Sequence, residues 1–293
     1  MELRDLTDKA LEIHERIRAK TAQPLPDLMI LRQDRVTAFE AVIYKPVVCL
    51  ILQGAKITSV GDRVAMPSAG DALIVSHDLP VESRITEATS ERPYVALIVS
   101  LDLGLLRGLY EQVGPHAFEA RASRSLLSGP ARPDLIDAVA RYLALQEDPL
   151  HAAVLGPSLL REIHFRLLMS PVGGTLRSLL SVDSHASRVS QAILKLRAGF
   201  RETLKVGDLA RVAGMSQSSF HSHFKQVTGT TPLQYQKDLR MIAARDLLRA
   251  GRHSVAAAGF DVGYESPTHF SRDYQRKFGI APSREMASTP VPA

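Results

Sequence analysis

Two sets of short polar and cationic side chains recur on one side of a helix-length stretch. Gln217, Ser218, His221, Ser222 and Lys225 form the first set. Fifty residues on, Thr268, His269, Ser271, Arg272, Gln275 and Arg276 form the second, with Lys277 directly after. Steps of three and four hold such residues on one helix face. Short hydrogen-bonding groups can reach base edges, and cations among them can grip phosphates. Other chemistry finds little support. His221 and His223 are two apart and point to different sides of a helix, so they cannot share a metal. His77 stands alone after a strand, and Cys49 lies in an apolar run where a thiol is an inert core group. No Ser-His-Asp set, phosphate-cradling glycine loop or carboxylate pair is present. The sequence therefore predicts no catalytic residue, no metal site and no cofactor.

The elements that would carry the two sets are themselves repeated. Ser216, Phe220, Phe224, Thr228, Gly229 and Pro232 are matched by Ser266, Phe270, Tyr274, Phe278, Gly279 and Pro282 at an offset of 50. Each copy reads as a serine N-cap, aromatic residues every four positions, a glycine C-cap and a proline opening the next element. The stripe of Phe220, Phe224, Phe270 and Tyr274 is expected in the core, which leaves the polar sets outward. A short apolar helix ending in glycine precedes each copy, Val206 to Gly214 and Val255 to Gly263. Ala210 and Gly259 sit four residues before those glycines, where helices could cross closely. Helix, glycine turn and helix make a helix-turn-helix, whose second helix stands proud enough to enter a major groove. Between the copies, Pro232 to Arg249 predicts one helix of 18 residues, about 27 Å long.

Charge divides the same way. The 293 residues carry a formal +5. From Asp183 onward there are 16 Lys/Arg and 9 Asp/Glu, a net of +7, which leaves −2 on residues 1 to 182. Such asymmetry suits a polyanion-binding C-terminal part. With 45% hydrophobic residues the chain can bury a core, and its length suggests about two domains. One cysteine excludes an internal disulfide. The acidic start Met1-Glu2-Leu3-Arg4-Asp5 lacks the basic-then-apolar pattern of a signal peptide, and no long uncharged apolar run exists. A cytoplasmic location without membrane contact is the expectation.

The N-terminal part has a different texture. Leu3 to Arg18 has helical spacing. Short β-rich runs come next at Leu28–Leu31, Val47–Leu52, Ala72–Val75 and Val95–Val99, broken by Gln53-Gly54, Gly61-Asp62 and Ala69-Gly70-Asp71. They predict a small sandwich or barrel, with Val47–Leu52 a central strand covered on both faces. Asp102 should cap a helix to about Gln112, and two longer helices should run from Pro133 to Glu147 and from about Ala152 to Met169. Ser170-Pro171-Val172-Gly173-Gly174 breaks the pattern and marks a linker.

On these residues the chain from about Ser187 to Met286 resembles the DNA-binding domain of the AraC/XylS family of bacterial transcription regulators. Leu209-Ala210-Arg211-Val212-Ala213-Gly214-Met215-Ser216, Phe220 to Pro232, Val262-Gly263-Tyr264-Glu265-Ser266 and Phe270-Ser271-Arg272 through Phe278-Gly279 to Pro282 carry the likeness. Tyr44-Lys45-Pro46 to Gln53-Gly54 and Glu91-Arg92-Pro93-Tyr94 resemble one N-terminal regulatory domain type of that family. The resemblance implies an α+β protein: an N-terminal β-rich, cupin-like barrel or sandwich with flanking helices, and a C-terminal all-α domain with two helix-turn-helix motifs. The implied division is a regulatory domain at 1–170, a linker at 171–186 and a double helix-turn-helix domain at 187–287.

The resemblance places base reading on Ser218, His221 and Ser222, and on Thr268, Ser271 and Arg272, with Gln217 and His269 beside them. Lys225, Gln275, Arg276 and Lys277 are left for phosphates. Arg272 is the strongest single candidate, since a bidentate contact to guanine is worth about 1–3 kcal/mol of discrimination. Gly259 stands where the family has alanine and should weaken its helix by about 1 kcal/mol. In the N-terminal domain, Tyr44, Lys45, His77, Arg84 and Tyr94 either line an effector pocket or cap a sealed structural core. The expected partners are double-stranded DNA, a small-molecule effector, a second copy of the chain and, for an activator, RNA polymerase. The rival expectation is a ligand-binding or enzymatic barrel whose helical extension never touches DNA.

Overall fold

The computed structural model describes residues 2–23, 25–114, 124–181, 184–251 and 253–287. Helix α1 (Leu3–Arg18) buries Leu6, Ala10 and Ile13, the face its spacing predicts. Among the described residues nine strands come after it: β1 (Leu28–Gln33), β2 (Glu40–Tyr44), β3 (Val47–Gln53), β4 (Ala55–Val60), β5 (Arg63–Ala65), β6 (Asp71–Val75), β7 (Leu79–Glu87), β8 (Tyr94–Ser100) and β9 (Leu126–Pro130). They form two antiparallel sheets, β1-β8-β3-β6-β9 and β2-β7-β4-β5.

Central strand β3 lies between β8 and β6, and its apolar residues divide between two cores. Val48, Leu50 and Leu52 face a core shared with α1 and the helices C-terminal to the barrel. Cys49 and Ile51 face the interior core. A strand covered on both sides needs apolar residues at every position, as Val47–Leu52 has.

Asp102 accepts hydrogen bonds from the amides of Gly104 and Leu105 and opens α2 (Leu103–Val113). Helices α3 (Pro133–Ala144) and α4 (Pro149–Met169) pack against each other. Helix α4 starts earlier than its apolar pattern suggests, because Asp148 caps it through the amides of Leu150 and His151. No described helix is long and apolar enough to cross a membrane.

The segment read as a linker is structured in the described residues. Pro171–Gly173 make a 3-10 turn and Gly174–Leu180 form α5, with Leu176, Leu179 and Leu180 buried. The Pro171-Val172-Gly173-Gly174 break signals a change of direction, and the leucines behind it supply a packing face.

The rest is helical: α6 (His185–Ala198), α7 (Val206–Val212), α8 (Gln217–Thr228), α9 (Pro232–Arg249), α10 (Val255–Asp261), α11 (Pro267–Phe278) and α12 (Pro282–Ala287). The interior barrel core continues without a break into α6, α7, α8 and the first half of α9, through Ala186, Val189, Phe220, Phe224 and Tyr235. The second helix-turn-helix has its own core of Met241, Ala244, Leu248, Ala258, Val262, Phe270 and Tyr274. Barrel and first helix-turn-helix thus share a core that the second lacks.

Candidate nucleic-acid interface

Each helix-turn-helix is built from the residues its pattern predicts. Ser216 accepts the amide of Ser219 and Ser266 that of His269, so both serines cap. Gly229 and Gly279 end the two helices in the left-handed conformation. Phe220, Phe224, Phe270 and Tyr274 are fully buried. Phe220 and Phe224 meet at 5.4 Å and Phe224 reaches Tyr235 at 5.6 Å, while Phe270 and Tyr274 meet at 5.6 Å. These rings fix the rotation of each helix, so the opposite face must look outward.

Gly259 has a packing reason to be small: a Cβ there would lie 3.0 Å from the Phe270 ring. The helix weakening predicted from propensity is accompanied by a close crossing of α10 on α11.

Helix α9 spans the two units. Its Gln236 Nε2 donates to the carbonyls of Phe200 and Glu202 at 2.9 and 2.7 Å. Arg240 donates to the carbonyls of Phe200, Arg201 and Glu202 at 2.8 to 2.9 Å. The α6–α7 connection is thereby tied to the middle of α9.

The outward faces carry the sequence-predicted residues. Gln217, Ser218, His221, Ser222 and Lys225 are exposed on α8. Thr268, His269, Arg272, Gln275 and Arg276 are exposed on α11, and Ser271 is half-buried. His269 and Arg272 share a 620 Å³ cleft with Ser266, Arg240 and Arg276. Arg276 forms an ion pair with Asp273 on its own helix.

Lys277 departs from the expectation of a phosphate contact. Its Nζ lies 2.8 Å from Glu82 of β7 and 2.9 Å from Asp238 of α9, with the side chain only 19% exposed. As the last helical residues turn toward the body, the ammonium is spent on two carboxylates of the fold. His221 and His223 also separate: His223 stacks on His185 at 3.5 Å, while His221 is exposed. No group of three or more His, Cys, Asp or Glu able to hold a metal exists among the described residues.

Of the five barrel residues proposed for a pocket, Tyr44 and Tyr94 meet around Lys56 and Cys49, while Lys45, His77 and Arg84 lie apart from them. Lys45 is exposed, and Arg84 stacks on Phe39 at 4.5 Å. Tyr94 is fully buried, with its hydroxyl 4.0 Å from Cys49 Sγ. Tyr44 lies under Lys56 Nζ at 5.3 Å, and that ammonium is 3.6 Å from the same sulfur. Lys56, buried at 4% exposure, went unnoticed in the sequence because an inward lysine inverts the alternation expected of β4.

His77 is not on an open loop but at the junction of the barrel and α6. Its Nδ1 lies within hydrogen-bond distance of Ser76 Oγ (2.8 Å) and Ser125 Oγ (3.1 Å), and its Nε2 lies 3.5 Å from the Ala186 carbonyl. A 690 Å³ cavity lies elsewhere, between α2, α3, α4 and the β1–β8 side, lined by Asp27, Leu105, Tyr142, Gly156 and His164.

Two compact helix-turn-helix units in one all-α domain, each with a polar outward face, define the class of helix-turn-helix regulators. A helix-turn-helix domain model matches residues 209–287, and a model of the AraC-type transcriptional regulator N-terminus matches residues 24–175. The chain belongs to the AraC-type transcriptional regulators.

Among curated relatives, the transcriptional activator RhaS of Escherichia fergusonii is 35% identical over 123 residues, 42% of this chain and 44% of that protein. The regulator ExsA of Pseudomonas aeruginosa is 28% identical over 134 residues, 46% of this chain and 48% of that protein. The match spans less than half the length of either relative. The crystal structure of ToxT from Vibrio cholerae aligns over 90% of this chain and 98% of its own, with a TM-score of 0.55 at 12% identity. That likeness is one of fold: an N-terminal antiparallel sheet domain joined to a C-terminal helical domain.

Proposed function

We propose that the protein is a sequence-specific regulator of transcription that places α8 and α11 in successive major grooves on one face of a DNA duplex. In this reading residues 187–287 bind DNA, residues 1–170 regulate, and 171–186 join them. One observation carries it. Two helices held from behind by buried aromatic residues turn Gln217, Ser218, His221 and Ser222, and Thr268, His269 and Arg272, to the outside. Helix α9, about 27 Å long, separates them on a scale suited to one helical turn of DNA, about 34 Å. Control by the N-terminal domain, through a small effector or a second copy of the chain, completes the reading, with RNA polymerase a further partner if the protein activates.

Sites selected from randomised DNA test it. Arg272→Ala should relax preference at one base pair by about 1–3 kcal/mol and leave the other positions alone. Lys225→Ala should weaken all sequences alike and reduce the salt slope by about 1. No selected site, or an affinity indifferent to salt, would return the protein to the reading of a barrel with a helical extension that does not bind DNA.

A further inference from the structure

The barrel grips the first reading helix by its C-terminal turn. The β4–β5 hairpin turns at Gly61 and Asp62, and Arg63 comes next. Arg63 Nη1 donates to the Val227 carbonyl at 2.9 Å, and Nη2 donates to the carbonyls of Lys225 (3.3 Å) and Gln226. The last carbonyls of a helix have no amide partner within it, and that end carries partial negative charge. A guanidinium satisfies both needs, and here it comes from the other domain.

Ser125, just before β9, donates its amide and its hydroxyl to the same Val227 carbonyl, each at 3.0 Å. The backbones also touch. Gly61 and Gly229 both have positive φ, and a Cβ on Gly61 would lie 2.1 Å from the Gly229 carbonyl oxygen. That approach leaves no room for any other residue at position 61.

The grip leaves the reading face open. Gln217, Ser218, His221 and Ser222 stay exposed, and His221, Ser222 and Lys225 share a 500 Å³ cleft with Asp62 and Arg63. Helix α11, its counterpart in the repeat, is held differently. The barrel meets its last turn through the Lys277–Glu82 ion pair, but a Cβ on Gly279 would meet nothing within 4 Å, and the core behind α11 is separate from the barrel's. The repeat makes the two helices alike, and the barrel makes them unlike.

We propose that Arg63 is a positioning residue for DNA recognition: through it the N-terminal domain sets the pose of α8, separately from the Lys277–Glu82 ion pair that ties α11 to β7. A change at the β4–β5 hairpin then reaches the DNA as altered reading of one half of the site. The proposal rests on the proposed role of α8 as a DNA-reading helix.

The test uses the full chain on its selected site and on single base-pair variants of that site. Positions read by α8 are those that His221→Ala relaxes, and positions read by α11 those that Arg272→Ala relaxes. Arg63→Ala should reduce discrimination at the α8 positions by about fivefold or more, with the α11 positions and the salt slope unchanged. Gly61→Val, which leaves Arg63 in place but forces the hairpin off Gly229, should do the same.

Unchanged discrimination would overturn the proposal. So would an equal loss on every DNA with a shallower salt slope, which would make Arg63 a phosphate contact. Amide exchange without DNA separates this proposal from the reading it rests on. Faster exchange in the last turn of α8 in Arg63→Ala, with α11 unchanged, supports the grip even if no DNA site is found. Equal exchange in wild type and variant would sink it.

Discussion

Replacing Glu285 by alanine should destabilise the second helix-turn-helix by about 3 kcal/mol, near the lower end of the cost of stripping one partner from a buried ion pair. The carboxylate, on α12, is 4% exposed. Its Oε1 accepts from Arg245 Nε at 3.1 Å and Arg249 Nε at 2.7 Å, and its Oε2 accepts from the buried Tyr274 hydroxyl at 3.1 Å. One side chain thus joins α9, α11 and α12, and Arg249 extends the link to Glu40 of β2 at 3.0 Å. Without it a phenol and an arginine that is 15% exposed lose their acceptor. The cost stays at the lower end because Arg249, at 41% exposure, can turn to water.

Denaturant unfolding of Glu285→Ala should show an early transition, accompanied by loss of DNA binding. Arg272→Ala should lose base preference at unchanged stability, which separates the support of α11 from its reading. A Glu285→Ala midpoint equal to wild type would show that the network contributes nothing. Acid should act on the same group. Burial alone would raise the Glu285 pKa, but the hydrogen bonds from Arg249 and Arg245 outweigh it and hold the carboxyl below its usual range. Its stabilisation is therefore complete above the unfolded pKa of about 4.3 and is lost as pH falls through the lower folded value.

Mild acid should loosen the junction of barrel and helices first. Burial lowers the His77 pKa to about 4, despite opposing help from the Ala186 carbonyl and the nearby Asp78 carboxylate. Unfolded, the imidazole takes its proton near pH 6.5. Above that pH neither state is protonated, and stability is complete. Between 6.5 and 4 the unfolded chain holds the extra proton, so stability falls with pH, by about 3 kcal/mol in all.

The groups around His77 belong to both domains. Ser76 and Ser125 come from the barrel, Ala186 from α6, and Asp78 pairs with Arg197 of α6 while its carbonyl accepts from the Tyr235 hydroxyl of α9. The lost stability should therefore appear at the contact between barrel and helices. Thermal unfolding of wild type and His77→Gln at pH 7.5 and pH 5 measures it: the wild-type midpoint should fall on acidification, and the variant's should fall less. Equal falls would place the titration elsewhere.

The features legible without the structure were local. A serine cap needs only the amide three residues on, a glycine C-cap only its own φ, and a helix face only steps of three and four. Ser216, Ser266, Gly229, Gly279 and the aromatic stripe therefore declared both helix-turn-helix units and their outward faces. Strands β2, β4 and β7 were harder. Lys56 and Thr58 point inward on β4, and polar residues facing a core erase the alternation by which a strand is recognised. The leucines of α5 were hidden behind the Pro171-Val172-Gly173-Gly174 signal, which marks a bend but carries no information about the helix beyond it.

Other properties depended on residues far away in the chain. Lys277 has the type and spacing of a phosphate contact until Glu82, nearly two hundred residues earlier, comes within 2.8 Å. His77 resembles a loop ligand until α6 closes over it. Arg63 carries no motif at all, and its role exists only because the hairpin that bears it meets the end of α8. The sequence by itself determined which helices present a polar outward face, since backbone periodicity and capping are short-range. The tertiary structure alone decided which cations are paired within the fold and how the barrel meets each helix, because a charge or a helix end is defined by the partner that folding brings to it.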